Sequence, residues 1–263
     1  MIARLALAVV TLAGCGGKSR TSPATQPTPA AFVDADSDPR ALALVDSALA
    51  EFGGIAAWER VKELSFTVTY KDGNTDKARF THTWDRWNGR HHFVTRVADA
   101  ENPSETHVQE VKHDLFEAKA RPWVAVDGTE TGTSEEAAVM AEAARQRLNE
   151  DLYFLAIVYK LKDPGVKLTI DNEQITIEGS ALCQPSCTSV LVSFDPAVGS
   201  NKWAININND TKQVQVLEMV LDRGRIGYEL GGWIDVGGMK WPTRFQNLGL
   251  ASEIIVYSDL AVR

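Results

Sequence analysis

The sequence predicts an α+β fold in which one curved, mostly antiparallel sheet has its apolar face covered by a helix. Three observations lead to this prediction. About a dozen short segments alternate apolar with polar residues, turn residues separate them, and one long segment near 135–160 keeps the three-and-four spacing of a helix. With 263 residues and 44% apolar content, the chain can bury one sizeable core, so a single domain suffices.

The chain begins with the layout of a secretory signal. Arg4 precedes an apolar run at 5–12, which is too short to span a bilayer as a mature helix, and small residues follow before Cys15. This layout resembles the lipobox of bacterial lipoproteins, which implies cleavage after residue 14, a diacylglycerol on Cys15 and acylation of the new amine. The alternative is an ordinary signal peptide with a chance cysteine. Gly16 replaces the Asp of the enteric sorting rule, and this resemblance implies the outer membrane, facing the periplasm.

Acyl groups on Cys15 would make the membrane a partner without any transmembrane helix. One chain of roughly fifteen carbons contributes on the order of 10 kcal/mol, at about 0.8 kcal/mol per buried CH₂. No later apolar run reaches about 18 residues. Removing residues 1–14 takes away Arg4 alone among the charges, so the net charge changes from −8 to −9. This mildly acidic body argues against nucleic acid as a partner.

The segment after the anchor is predicted to be a flexible tether. Residues 15–39 are rich in Ser, Thr, Pro and Ala and cannot bury a core. The remaining residues, 40–263, are predicted to form the single domain.

The first elements of that domain are a short helix and a series of strands. Asp38 can cap a helix that starts at Pro39 and ends before Gly53. A half-buried strand follows, because Leu64 begins a strict alternation of apolar and polar residues. The next strands are predicted at 77–87 and 90–98, joined by a two-residue turn at Asn88-Gly89, and then at 105–112 and 114–126.

One long helix is predicted from about 135 to 160. Thr133 and Glu136 fit a capping box, and the helix would be roughly 39 Å long at 1.5 Å per residue. Its first half is Ala-rich, whereas residues 152–159 are apolar all round and should be enclosed. A break near 149–150 stays open, and Glu150 and Asp151 are interpreted as the solvated side.

The remainder of the chain is again strand. The predicted strands are 166–171, 173–179, 188–195, 201–208, 213–222, 225–234, 239–248 and 252–262. Between the second and third of them, Cys183 and Cys187 are predicted to form a disulfide across a turn, because the compartment is oxidising. Half of a metal site and a redox pair are the alternatives for these two thiols.

The histidines of the 77–98 hairpin are the most conspicuous candidates for a site. The two-residue turn would place Asp85 opposite His92, and a cross-strand pair of these two is the default expectation. His82 and His91 would share the other face of the hairpin. Zinc needs three or four convergent ligands, so a metal-dependent hydrolase built on His82, His91 and His92 is the lesser hypothesis, and no cofactor is predicted.

The sequence carries no hydrolase, phosphate-loop or dinucleotide signature, so no catalytic residue is assigned. The function is therefore expected to depend on a binding surface or cavity rather than on catalytic residues. The chain has seven tryptophans, which either fill the core or keep a concave apolar pocket open between sheet and helix.

Several short motifs resemble a group of uncharacterised bacterial envelope lipoproteins. They are the Lys-Leu-Lys-Asp-Pro-Gly-Val step at 160–166, Lys202-Trp203, Gly232-Trp233, the run Gly-Gly-Met-Lys-Trp-Pro-Thr-Arg at 237–244, and the ending at 253–260. More distantly, the chain is similar to the lipoprotein-carrier superfamily of periplasmic sorting chaperones and outer-membrane lipoprotein receptors. That resemblance implies an unclosed β-barrel whose helices lie in or on its concave face, around an apolar cavity for acyl chains. The loop from Cys183 to Cys187 departs from this pattern.

The leading functional hypothesis is a non-enzymatic, lipid-anchored envelope protein that binds an acyl chain, a lipid or a lipidated partner in the half-barrel. The predicted lining residues are Phe66, Val68, Phe80, Trp84, Phe93, Leu155 and Trp203. The alternative is an envelope scaffold or interaction lipoprotein with a solid core and an exposed aromatic patch. No protein partner can be named from the sequence.

Overall fold

The computed structural model describes residues 32–99, 102, 104–117, 120–171, 187–194 and 202–263. The strands in this part of the chain are β1 (Glu63–Asp72), β2 (Thr75–Asp85), β3 (Arg90–Ala98), β4 (Thr106–Asp114), β5 (Trp123–Val126), β6 (Thr129–Glu130), β7 (Val166–Ile170), β8 (Cys187–Phe194), β9 (Lys202–Asn208), β10 (Val214–Leu221), β11 (Gly224–Gly231), β12 (Ile234–Val236), β13 (Met239–Trp241), β14 (Arg244–Asn247) and β15 (Glu253–Val262). The α-helices in the same ranges are α1 (Pro39–Glu51), α2 (Ile55–Arg60) and α3 (Ser134–Lys160).

Thirteen of the described strands form one sheet, in the order β6-β5-β4-β3-β2-β1-β15-β14-β11-β10-β9-β8-β7. Neighbouring strands are antiparallel throughout this order. β6 and β7 stand at opposite ends of the order, so the sheet is open. The predicted α+β fold with a curved, unclosed antiparallel sheet is confirmed.

Helix α1 has the predicted limits. Asp38 caps it, since its Oδ1 accepts from the backbone N–H of Arg40 at 2.8 Å. The residues just before the helix lie along the sheet: the N–H of Asp38 donates to the carbonyl of Leu168 at 2.8 Å, and the N–H of Leu168 donates to Ser37 Oγ at 3.0 Å. This segment covers part of the outer edge of β7, where an uncovered strand could pair with another chain. The short helix α2 was not predicted.

The turn between β2 and β3 is longer than predicted. Asp85 lies opposite Arg90, which leaves the four residues 86–89 in the turn. The cause is the Asp85 carboxylate, which accepts from the N–H of Asn88 at 3.1 Å and from Arg90 at 2.7 Å. The register therefore differs from the predicted one by two residues, an even number, so every side chain keeps its predicted face.

Three predicted strands are shorter or divided in the structure. Of the strand expected at 114–126, the described residues 115–117 and 120–122 are not strand; β4 ends at Asp114 and β5 begins at Trp123. Gly232, at a φ of 65°, ends β11, and Pro242, which has no N–H to donate, separates β13 from β14. The strand predicted at 173–179 lies outside the described residues.

Helix α3 is capped as predicted and unbroken. Thr133 Oγ1 accepts from the N–H of Glu136 at 3.2 Å, and Glu136 Oε2 accepts from the N–H of Thr133 at 2.7 Å. The helix runs without interruption through 149–150, and its 27 residues extend over about 40 Å.

The two halves of α3 pack very differently against the sheet. The second half enters the large core, where its buried side chains are Leu152, Phe154, Leu155, Ala156, Ile157, Val158 and Tyr159. Before Leu148, which already belongs to the large core, the buried residues of the helix are Ala137, Ala141 and Ala144. They pack on Phe93, Val111 and Val124, with Met140 partly buried beside them. We call the sheet face covered by α3 the concave face. The prediction that residues 152–159 are enclosed is confirmed.

No helix within the described residues is both long enough and apolar enough to span a membrane.

Candidate functional site

A buried polar network on the concave face centres on Asp151 of α3. Its side chain is 0% exposed. Asp151 Oδ1 accepts from the Tyr70 hydroxyl at 2.6 Å and from Arg147 at 2.6 Å, and its Oδ2 accepts from Arg147 Nε at 3.0 Å. The interpretation of Asp151 as solvated is therefore wrong, because α3 turns this residue towards the sheet. Its neighbour Glu150, with a 63% exposed side chain, does face solvent.

A row of three imidazoles continues from Asp151 across β2, β3 and β4, and we call it the histidine chain. His82 Nε2 lies 2.9 Å from Asp151 Oδ2, His82 Nδ1 lies 3.0 Å from His91 Nε2, and His91 Nδ1 lies 2.8 Å from His113 Nε2. Since a carboxylate only accepts, His82 donates from Nε2 and accepts at Nδ1. The same assignment then applies to His91 and His113, so each neutral ring donates one step closer to Asp151.

Other side chains fix the inner end of this chain. Arg147 donates to the Tyr70 hydroxyl as well as to the carboxylate, and its guanidinium lies over the Tyr70 ring, 4.8 Å from the centroid. The hydroxyl of Tyr257 donates to the backbone carbonyl of Asp151 at 2.8 Å. Three described strands, β1, β2 and β15, thus meet α3 at Asp151, and the histidine chain extends the network to β3 and β4.

Two imidazoles of the histidine chain, those of His91 and His113, have pKa values below the ordinary value. Burial lowers the pKa of His91 to about 2, and the neighbouring rings of His82, His113 and His92 act in the same direction. Burial also lowers the pKa of His113; the charge of Arg145 adds to this effect, and Glu142 opposes it.

The pKa values of the Tyr70 phenol and the Arg147 guanidinium, both beside Asp151, are raised. Burial and the Asp151 charge raise the pKa of Tyr70 well above its ordinary value. Burial alone would lower the pKa of Arg147, but Asp151 and Tyr70 outweigh it and raise that pKa. The inner end therefore contains one carboxylate paired with one guanidinium, which is how proteins tolerate buried charge.

The expected cross-strand pair of Asp85 and His92 is wrong, whereas His92 lies on the predicted face. Asp85 does not pair with His92: Thr83 lies opposite His92, which instead bonds Glu110 at 3.1 Å. His92 also faces away from His82 and His91, which are bonded to each other. Among the described residues, no group of three or more His, Cys, Asp or Glu side chains could hold a metal ion.

The seven predicted lining residues fall into two groups. Phe66, Val68, Leu155 and Trp203 are buried in the large core, and Trp84 packs against it. Phe93 belongs to the small cluster beneath the first half of α3, and Phe80 touches both clusters. The six strand residues face α3, but their role as ligand contacts stays a prediction.

Two of these residues carry buried hydrogen-bond donors that lack an acceptor. Trp84 Nε1 and Trp203 Nε1 are the buried side-chain polar atoms without a partner in the part of the chain that the structure describes. Trp203 stacks on Tyr153 of α3 at 5.8 Å between ring centroids. Trp84 lies opposite His91 in the β2–β3 pair. Both donors thus lie on the face that α3 covers, and such groups in a native fold call for an explanation.

A second buried ionic cluster lies on the opposite sheet face, and the sequence did not reveal it. Arg225 bonds Asp171 at 2.5 Å and Glu218 at 3.0 Å. Ser189 donates to Asp171 at 3.1 Å, and Asn206 donates to Glu218 at 3.0 Å. Because these residues come from β8 to β11 and the end of β7, the cluster ties the far half of the sheet together.

The predicted cysteine chemistry is mostly outside the described residues. Cys15 and Cys183 lie there, and Cys187 begins β8. The lipid anchor and the Cys183–Cys187 disulfide stay predictions.

No family model and no curated protein matches this chain. Solved structures similar to it include a LolA superfamily protein from Nitrosomonas europaea, with 13% identity, a TM-score of 0.44, and coverage of 85% of this chain and 93% of that chain. A DUF1329 family protein from Desulfovibrio piger has 15% identity, a TM-score of 0.39, and coverage of 86% and 94%. An outer membrane lipoprotein-sorting protein domain from Vibrio parahaemolyticus has 8% identity, a TM-score of 0.39, and coverage of 85% and 92%.

The lipoprotein-carrier superfamily that the sequence resembles is thus represented among these distant structural matches. Every TM-score is below 0.5, so the function proposed below rests on this chain's own residues.

Proposed function

We propose that this protein is a non-enzymatic envelope protein that binds an acyl chain, a lipid or a lipidated partner between α3 and the concave face. Acyl groups on Cys15 tether it to the outer membrane, where it faces the periplasm. The single observation that carries the ligand site is the pair of buried, acceptor-free indole N–H groups of Trp84 and Trp203.

These donors favour a ligand that combines apolar bulk with an uncharged acceptor. A buried donor without a partner costs about 1–3 kcal/mol, which a bound acceptor would return. The rings around Trp203, namely Tyr153 and Phe154 at centroid distances of 5.8 and 5.6 Å, are apolar contact surface. The carbonyl oxygen of an ester-linked acyl chain meets both requirements.

The first half of α3 is the part that can move aside for a ligand. Its three buried alanines contribute about 2–3 kcal/mol, at about 0.8 kcal/mol per buried methyl or methylene group. The large buried side chains of the second half contribute about 1.5–3 kcal/mol each, so several of them hold that half firmly. Residues 134–146 therefore detach and open a route towards Trp84 and Trp203. The helix stays on the sheet from Arg147, which pairs with Asp151, and Leu148, which is buried in the large core.

The ligand is tested with the full chain carrying Cys15→Ser, exported to the periplasm and purified without detergent. Native mass spectrometry should show co-purifying lipid that organic solvent removes. Trp203→Phe keeps the ring but deletes the donor, so its retained lipid should fall. Trp87→Phe, on an exposed side chain, is the matched control and should keep the native load. A protein that is always empty, and that binds no apolar dye, contradicts the proposal.

A second candidate function is favoured by an exposed aromatic pair. Trp87 and Phe116 are 56% and 66% exposed. The Phe116 ring lies beside Gly89, which is two residues from Trp87 in the same turn. Such a pair suits a scaffold or interaction lipoprotein. Crosslinking in the envelope that captures one stoichiometric protein, and loses it in Trp87→Ser, would favour this function.

A further inference from the structure

The histidine chain begins and ends at α3, although its rings come from the sheet. Its inner end bonds Asp151, while its outer end, His113, is within electrostatic range of Glu142 and Arg145 on the same helix. His91, between them, is buried. The central imidazole is therefore shielded from water in the closed form.

The chain has a limited capacity for protons while it is closed. Its three hydrogen bonds use the three protons that neutral His82, His91 and His113 carry, one for each bond. One further proton can sit on the outer Nδ1 of His113 without breaking a bond. A second added proton would place two N–H donors opposite each other, which breaks a hydrogen bond. It would also bring two positively charged rings within about 3 Å of each other in a site without water, which is unfavourable.

We propose that the histidine chain is a proton-controlled latch, which holds the first half of α3 on the concave face at neutral pH and releases it on acidification. The inference rests on the proposed ligand site, because it assigns the control of access to that site. In the closed form the imidazole of His91 is covered and uncharged. In the open form it is in contact with water and binds a proton as an ordinary histidine does.

The charged groups around the histidine chain determine whether protonation of its closed form is favoured or opposed. From α3, Arg147 and Arg145 are positive, while Asp151, Glu150 and Glu142 are negative. From the sheet, His92 and Asp114 act on the chain, and Tyr70 and Tyr257 stay neutral because burial raises their pKa values. The positive arginines and neighbouring rings oppose protonation of the closed chain, and the carboxylates only partly offset them.

The sign and size of the pH effect follow from linkage. The pKa of His91 is about 2 when covered and about 6.5 in water, so the closed form binds fewer protons than the open form. The closed form is fully favoured above about pH 6.5 and loses stability as the pH falls below it. At about pH 5.5, the released imidazole of His91 shifts the equilibrium roughly tenfold towards the open form, and the lowered pKa of His113 acts in the same direction.

Opening can be measured without any ligand. Hydrogen exchange of the α3 amides, corrected for the intrinsic pH dependence of exchange, is compared at about pH 7.5 and 5.5. We expect protection of residues 134–146 to fall markedly at the lower pH in the native chain and to change much less in His91→Gln. His113→Gln, at a half-buried position, gives a second test if His91→Gln folds poorly. His92→Gln is the matched control on the other face of β3, and it should keep the native pH response.

Ligand access is measured with an uncharged probe, a pyrene-labelled monoacylglycerol, so that pH acts only on the protein. The apparent affinity should rise roughly tenfold between about pH 7.5 and 5.5 in the native chain, and less than threefold in His91→Gln. Equal protection of α3 at both pH values overturns the latch, whether or not the probe binds. Probe binding at neither pH, with the exchange response intact, overturns the ligand site and leaves the latch standing. If the pH response is lost in His92→Gln as well as in His91→Gln, the proton switch lies elsewhere in the protein, and the latch is overturned.

Discussion

The substitution Asp151→Asn tests whether the buried network holds α3 to the sheet. It keeps the shape of the side chain but removes the charge that pairs with Arg147 and that accepts from His82 and Tyr70. An amide also has one oxygen where the carboxylate has two, so at least one of these donors loses its acceptor.

The expected loss is large for a single substitution. Breaking a buried ion pair by removing one partner costs about 3–5 kcal/mol. Arg147 keeps a 2.9 Å contact with Glu150, whose exposure to solvent weakens it, so we take the lower end, about 3 kcal/mol. For a domain of this size, at about 2–4 °C per kcal/mol, the melting temperature should fall by about 6–12 °C.

The assay is urea and thermal unfolding at pH 7.5, followed by circular dichroism. Glu150→Gln changes the neighbouring exposed carboxylate on the same helix and should cost less than about 1 kcal/mol. The double variant Asp151→Asn/Arg147→Met should lose clearly less than the sum of its two single variants, since both act through one pair. If Asp151→Asn unfolds within about 0.5 kcal/mol of Glu150→Gln, the network does not hold the helix and the reasoning fails.

Three further predictions concern local structure. Thr133→Ala removes the acceptor of the α3 capping box and should cost about 1 kcal/mol in urea unfolding, whereas Thr133→Ser should cost little. Gly89→Ala places a Cβ at a φ of 71°, 2.6 Å from the Phe116 ring; we expect a loss of about 1–2 kcal/mol, and an unchanged unfolding midpoint would contradict this turn geometry. The hydrogen bond to Asp127 raises the pKa of His107, so the stability that it adds is fully present below about pH 6.5 and is lost as the pH rises through the raised pKa. His107→Gln should therefore flatten this part of the stability–pH curve, and NMR titration of the ring should show the raised pKa directly.

The elements that the sequence predicted correctly are those with a strong local signal. The capping box at Thr133, the cap at Asp38 and the all-apolar stretch 152–159 each act within a few residues, so a linear pattern reveals them. The shared face of His82 and His91 was also predictable, because alternation survives an even register shift.

The centre of the candidate site could not be predicted in the same way. Asp151 joins residues that lie 81 and 69 positions away in sequence, Tyr70 and His82, and nothing local marks it as buried. His113 was passed over because only the β3–β4 register brings it opposite His91. One signal was available: Asp151 lies one residue before the fully apolar stretch, where a solvated carboxylate is out of place.

The predicted length of the β2–β3 turn was wrong for a different reason. The Asn88-Gly89 dipeptide favours a two-residue turn, but the Asp85 carboxylate competes by binding Asn88 and Arg90. A side chain that satisfies turn donors is worth as much as the dipeptide preference, and only the structure shows which of them prevails.

Tryptophan quenching tests the placement of the ligand most directly. A dibrominated monoacylglycerol quenches only the indoles that its chain touches, and it is titrated into the native chain, Trp84→Phe, Trp203→Phe and Trp87→Phe. A ligand between α3 and the concave face predicts that Trp84→Phe and Trp203→Phe each lose part of the quenching, while Trp87→Phe keeps all of it. Quenching that disappears with Trp87 and persists without the two buried indoles would place the lipid on the outer surface and contradict the proposed site.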